Sequence, residues 1–247
     1  MSDIYVIPDT QVRPGVKNPL EAVAYHIADT KPNYIVHLGD HWDMPSLSRY
    51  DKGKKSHRAR TYRKDIIAGN EAMDEFFNIL NLSWPENKKK AKKIFITGNH
   101  CHRITRAMEY GPDELIDLME DFQPDLSGWD KVMPFLEPIT IDGVTFSHYF
   151  QSNNSDRPIG TPRMLLNHRH GSCIAGHKQG FEYAEALAND KKRIQAIIAG
   201  SCYYHDESYK THTNHHWRGV LILRDVKDGM FDFERISLRT LTRRYLK

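Results

Sequence analysis

The chain has 247 residues, 39% of them hydrophobic and 27% charged, a balance that belongs to folded proteins and argues against a disordered or fibrous chain. No apolar run reaches the roughly 18 residues that span a bilayer, and MSDIYVIPDT lacks a basic region followed by an apolar stretch, which predicts a cytoplasmic protein without membrane contact. The net charge is only +3, and the three cysteines, Cys101, Cys173 and Cys202, form no CxxC pair, so neither a disulfide framework nor a zinc ribbon is supported.

In chain order, Ile4 to Ile7 is a short β-favouring run that stops at Pro8-Asp9, predicting a buried strand that delivers Asp9 at its end. After a loop with Pro14 and Gly15, the apolar positions Leu20, Val23, Ala24 and Ile27 predict a helix over Pro19 to Ala28, with Asn18 as its N-cap. Tyr34 to Leu38 is the next strand and ends at Gly39-Asp40, so the intervening helix makes a βαβ unit with parallel strands. Arg49 to Lys64 is basic and turn-like. It reads as an insertion around residues 44–66 that leads into a helical pattern through Ile66, Met73, Phe76, Phe77 and Leu80.

A lysine-rich loop, the one low-complexity segment, precedes a third strand at Ile94 to Ile96, which ends at Thr97-Gly98-Asn99-His100. Pro112 to Phe122 has a helical pattern, and Asp142-Gly143 joins two β-favouring runs over Ile139 to Phe146 as a hairpin, with His148 just beyond. Cys173 to Ala175 leads into Gly176-His177, and Ile194 to Ala199 leads into Gly200-Ser201, before a last β-rich stretch around Val220 to Leu223. The pattern predicts a single α/β domain over residues 1–247, with no internal repeat.

A polar residue at one strand end is an ordinary turn or cap residue. Here the strand ends are polar in succession: Asp9 with Gln11, Asp40 with Asp43, Asn99 with His100, then His148, then His177. In an open α/β sheet the carboxyl ends of strands gather at one edge, so these side chains are expected to converge. Carboxylates, an amide oxygen and imidazoles are the mixed oxygen and nitrogen ligands that suit Mn²⁺, Fe or Zn²⁺. Two such ions roughly 3.5–4 Å apart clamp a phosphoryl group for in-line attack.

These residues resemble the calcineurin-like metallophosphoesterase family, whose pattern is DxH, GDxxD, GNH followed by an acid, a lone His, and GHxH; the resemblance runs from Asp9 to Ser201. It implies a four-layer α/β/β/α sandwich with the metals at strand ends, and a phosphoesterase that works by a metal-activated hydroxide. It further implies that Asp40 bridges two divalent ions, that Asn99, His148 and His177 complete one site, and that Asp9 belongs to the other. His100 matches the family histidine beside the metals, whose implied role is to stabilise the transition state or protonate the leaving oxygen, with Asp43 orienting it.

Three positions depart from the pattern: DxH reads Asp9-Thr10-Gln11, GHxH reads Gly176-His177-Lys178-Gln179, and the acid after GNH is Cys101. Gln11 and Gln179 then stand where the second ion usually has imidazoles. A neutral carbonyl oxygen is the harder ligand, which implies a weaker site leaning towards Mn²⁺ or Mg²⁺. His212, His215 and His216 read as a histidine-rich surface loop, with a replacement ligand as the alternative.

Between Arg49 and Lys64 eight Lys or Arg residues face one acid, Asp51, with Tyr50 and Tyr62 at the flanks. Such a run follows a phosphate backbone while its aromatics stack on bases, which makes Lys54, Lys55, Arg58 and Arg60 candidate contacts to DNA or RNA. Arg103 and Arg106 extend the same rim. Nuclease-like hydrolysis of phosphodiesters is therefore expected. The same ligands would serve a phosphomonoesterase acting on a small molecule or phosphoprotein, and the two glutamines would suit a phosphate-binding module without turnover.

Overall fold

A computed structural model describes residues 1–49, 53, 59–111, 116–152, 155–188, 191–207 and 215–246. The first strand, β1 (Ser2–Ile7), alternates Ile4 and Val6 on one face with Tyr5 and Ile7 on the other, all fully buried, as a strand covered on both faces requires. Helix α1 (Leu20–Thr30), strand β2 (Tyr34–His37), helix α2 (Tyr62–Ser83) and strand β3 (Lys92–Ile96) follow, and β1, β2 and β3 pair in parallel. The next elements are α3 (His102–Tyr110), α4 (Ile116–Asp121) and β4 (Lys131–Met133), the last added parallel to β3.

Strands β5 (Ile139–Ile141) and β6 (Val144–Ser147) form the expected hairpin, turning at Asp142 and Gly143, both at positive φ. The chain then runs through β7 (Gln151–Ser152), β8 (Ser155–Pro158), α5 (Pro162–Arg169), β9 (Cys173–Ala175), β10 (Phe181–Leu187) and β11 (Arg193–Ala199). It ends with β12 (Gly219–Lys227), β13 (Met230–Ser237) and α6 (Leu238–Tyr245).

Among the described residues one sheet has the order β13-β12-β1-β2-β3-β4 and a second the order β10-β11-β9-β6-β5. Ile4, Val6, Val36, Leu38 and Ile94 of the first pack with Val144, Phe146, Ile174 and Ile197 of the second. On its other face the first sheet sets Tyr5, Ile7, Ile35 and Phe95 against Val23 and Ile27 of α1, Met73 and Phe76 of α2, and Leu241 of α6. The second sheet sets Cys173, Ala175, Ala196 and Ile198 against Leu165 and Leu166 of α5. No helix among the described residues is long and apolar enough to cross a membrane.

Two expectations change. Tyr62 to Lys64, expected in the turn-like basic run, are the first residues of α2; Arg and Lys are good helix formers, and the buried Tyr62 anchors the turn. The helix expected over Pro112 to Phe122 is the shorter α4, with residues 112–115 outside the described set.

Candidate metal centre

The loops after β1, β2, β3, β6 and β9 meet at one edge. Gln11 N donates to Asp40 O at 2.8 Å and Cys202 N to Asp9 O at 2.7 Å, which ties the first loop to the second and to the end of β11. Asp40 has a φ of 50° and follows Gly39 at 99°. A Cβ on Gly98 would lie 2.1 Å from Asp40 Oδ1, so only glycine there admits the carboxylate. Asp40 Oδ1 accepts from His100 N at 2.7 Å, and Asp40 Oδ2 lies 3.3 Å from His148 Nε2.

His148 is fully buried. Its Nδ1 donates to Leu38 O at 2.8 Å, and its Nε2 lies 2.8 Å from Asn99 Oδ1. Oxygen atoms face both ring nitrogens, an environment that favours the protonated ring while no cation is bound. Burial alone would lower its pKa, but the Asp40 carboxylate outweighs burial and pushes it up to about 9. The same Asn99 Oδ1 accepts from His177 Nδ1 at 2.7 Å, and Asp40, His148 and His177 each place a ligand atom within 4.8 Å of the others.

Asp9 Oδ1 accepts from His177 N at 3.1 Å, whereas its buried Oδ2 has no hydrogen-bond partner. Burial pushes the Asp9 pKa up to about 7, with Asp40 adding to the rise and His148 opposing it. For Asp40 burial also works against the charge, yet His148 and His100 hold its carboxyl well below the usual range. An unpartnered buried carboxylate oxygen costs about 1–3 kcal/mol or more. Asp40, His148 and His177, with Asn99 Oδ1 between the two rings, have the donor chemistry for a divalent cation that would replace the ring protons, and the unpartnered Asp9 Oδ2 is a further oxygen donor. Nδ1 of His148, held by the Leu38 carbonyl, leaves Nε2 as the ligand atom. Gln11 and Gln179 also meet, with Gln179 Nε2 at 3.5 Å from Gln11 Oε1 and both side chains buried.

Beside this cluster, His100 Nδ1 lies 2.6 Å from Asp43 Oδ1, and Arg103 Nη2 lies 3.0 Å from His100 Nε2. Burial would raise the Asp43 carboxyl, but His100, Arg13 and Arg103 hold it down to about 2. Burial would lower His100, but Asp40 and Asp43 raise it. Arg103, expected on a substrate rim, also donates to Asp43 O at 3.0 Å, so it packs on the His100–Asp43 pair. Cys101, where the family has an acid, is a buried thiol pushed up to about 12 by desolvation, and offers no ligand charge.

Arg60 donates to Pro45 O at 3.4 Å, while Lys54, Lys55, Arg58 and His212 lie outside the described residues. His215 is exposed, but His216 is half-buried, with Nε2 3.0 Å from Ser201 Oγ, so it belongs to the strand-end wall and not to a surface loop. Arg13 carried no signal in the sequence: it bridges Asp43 and Glu207, partners far away in the chain. Thr10, His37 and His41 were missed as well. Thr10 Oγ1 lies 2.9 Å from His41 Nδ1 and 3.2 Å from His37 Nε2, and His41 Nε2 reaches Gly69 O at 2.9 Å, tying both aspartate loops to α2.

Fold and site together define a mixed α/β protein with a candidate metal-binding cluster, Asp40, His148 and His177, at its strand ends. No family model matches the chain. It is 44% identical over 62 residues to the Gene 54 protein of Mycobacterium phage L5 and 42% identical over 62 residues to that of Mycobacterium phage D29. Each match covers 25% of this chain and 24% of the relative, so the chain spans about a quarter of the length of the curated relatives it matches. Among solved structures, the E. coli phosphoesterase YfcE aligns with a TM-score of 0.42 at 9% identity, over 96% of this chain and 99% of that one.

Proposed function

We propose that the chain is a metal-dependent phosphoesterase of the calcineurin-like type, a four-layer α/β/β/α sandwich acting in the cytoplasm, and that it hydrolyses phosphodiester bonds in DNA or RNA. What carries this reading is the meeting of Asp40, His148 and His177, the two rings sharing the Asn99 oxygen, together with the unpartnered buried Asp9 Oδ2. Asp9, Asp40, Asn99, His148 and His177 would hold the divalent ions, Mn²⁺ foremost, with Gln11 and Gln179 serving a weaker second position. When bound, such ions lower the pKa of water and neutralise phosphoryl charge.

The rest falls to side chains of this chain. Asp43 fixes the His100 ring through Nδ1, which aims Nε2 at the leaving oxygen. The Arg103 guanidinium at Nε2 is attractive only while that nitrogen bears a lone pair. An incoming phosphate would draw Arg103 onto its oxygens and free Nε2 to take up a proton from solvent, which the imidazolium, held by Asp43, would then pass to the leaving oxygen.

The test is hydrolysis of a bis-aryl phosphodiester and an aryl phosphomonoester after chelation and reloading with Mn²⁺. Diester turnover is expected to exceed monoester turnover, and Asp40→Ala or His177→Ala to reduce it below about 1%. Wild-type rates in either variant would overturn the assignment. The paired glutamines favour one second reading, a phosphate-binding module; its signature is retained phosphate binding with no hydrolysis under any divalent metal.

A further inference from the structure

A groove of about 680 Å³ opens beside the metal centre, between the segment after β11, the segment before β12, and α6. Its lining includes Tyr204, His215, Trp217, Arg218, Arg239 and Arg243. The groove joins the candidate site through one wall. His216, which lines it, bonds Ser201, and Ser201 bridges Asp9 in parallel register.

The groove is aromatic and cationic. Arg218 is committed to the fold, donating to Tyr204 O at 2.8 Å and to Asp206 at 2.7 Å. Arg239 and Arg243 are not: both are exposed, no ion pair holds either among the described residues, and α6 carries no acid. Four residues apart on one helix, they place two cations about 5–6 Å apart at their Cβ atoms, a spacing suited to neighbouring phosphates of one strand. Trp42, Trp84 and Trp129 are buried, whereas Trp217 is partly exposed in this groove. Aromatic faces with arginines in a groove are the means by which proteins hold single strands without reading sequence.

We propose that this groove binds a single nucleic-acid strand next to the scissile phosphate, with Arg239 and Arg243 on phosphates and Trp217 and Tyr204 against bases. This rests on the phosphodiesterase reading, of which it names the substrate form. The test uses the full chain in EDTA, so that nothing is hydrolysed, and follows binding of a fluorescein-labelled single-stranded oligonucleotide by anisotropy. The variant Arg239→Ala/Arg243→Ala is expected to weaken binding at least about tenfold at low salt and to lower the salt slope by about 1.4. Arg239→Lys/Arg243→Lys should bind within about threefold of wild type, and the oligonucleotide should quench tryptophan emission in wild type but not in Trp217→Phe.

Unchanged affinity and slope in the alanine variant would overturn the proposal. So would displacement of the strand by a mononucleotide at equal concentration, which marks a small-nucleotide pocket. Hydrolysis of the bis-aryl diester with Mn²⁺ separates the two claims, because it should be unaffected by both arginine variants. Turnover with variant-insensitive strand binding defeats the groove alone; absent turnover with variant-sensitive binding defeats only the phosphoesterase assignment.

Discussion

Asp40 sits in a cradle that tolerates no side chain on its neighbours. A Cβ on Gly39 would meet Ile96 O at 2.5 Å, and one on Gly98 would meet Asp40 Oδ1 at 2.1 Å, so the glycines before Asp40 and Asn99 are demanded by packing. Gly98→Ala must push the carboxylate away from His148 and His177. The expected result is a loss of Mn²⁺ affinity of about 10–100-fold, the range seen when the groups that orient ligands are disturbed, and calorimetric titration would measure it. Wild-type affinity would show that the cradle yields. At the same scale, Arg13 was illegible from the sequence because an isolated arginine in a turn announces no partner. Asp43 and Glu207 reach it only after folding, from 30 and 194 residues away.

Among the elements, the loops bearing Asp9 and Asp40 owe their position partly to α2. Gly69 of that helix is pressed against Trp42: a Cβ there would meet the indole at 2.1 Å, and Trp42 is fully buried. Gly69→Ala should gain about 1 kcal/mol in helix propensity but lose about 1–3 kcal/mol to overpacking, a net destabilisation readable as a lower urea midpoint. A higher midpoint would mean that Trp42 shifts freely. The strands that deliver the site were legible because they are buried on both faces and so read as unbroken apolar runs, Ile4–Ile7 and Ile94–Ile96 among them. Helix α6 was not legible, since only Leu238 and Leu241 of its eight residues are buried. Strands β10 and β13 were missed for a related reason: each lies at a sheet edge and mixes exposed charges with its apolar positions. The glutamine pair could be found only by spacing against a family pattern, because Gln11 and Gln179 are 168 residues apart.

For the whole molecule, the titration of the cluster sets a pH dependence. Folding raises Asp9 to about 7 and His148 to about 9, against about 3.9 and 6.5 in the unfolded chain, so the folded state holds both protons more tightly. The His148 contribution is complete below about pH 6.5 and lost as pH rises through 9; the Asp9 contribution is lost between about 4 and 7. Asp40 and Asp43 are lowered, so theirs is present above about pH 4 and lost in acid. In EDTA the melting temperature should fall from pH 6.5 to 9, while the increment given by Mn²⁺ should grow, since the ion replaces those protons. A flat EDTA profile would contradict the assigned protonation. The pairing of β1 has a consequence for biosynthesis. β1 lies inside its sheet, with Ile4 beside Tyr34 on one edge and Leu223 on the other, and the Asp9 loop is pinned by Cys202. On the ribosome, the early βαβ units can assemble while their first strand still has an open edge. Closing that edge waits for β12, a contact of high sequence separation and therefore slow. A nascent chain thus cannot assemble the candidate metal cluster until the strand ends that carry His148 and His177, and the Cys202 pin on the Asp9 loop, have emerged.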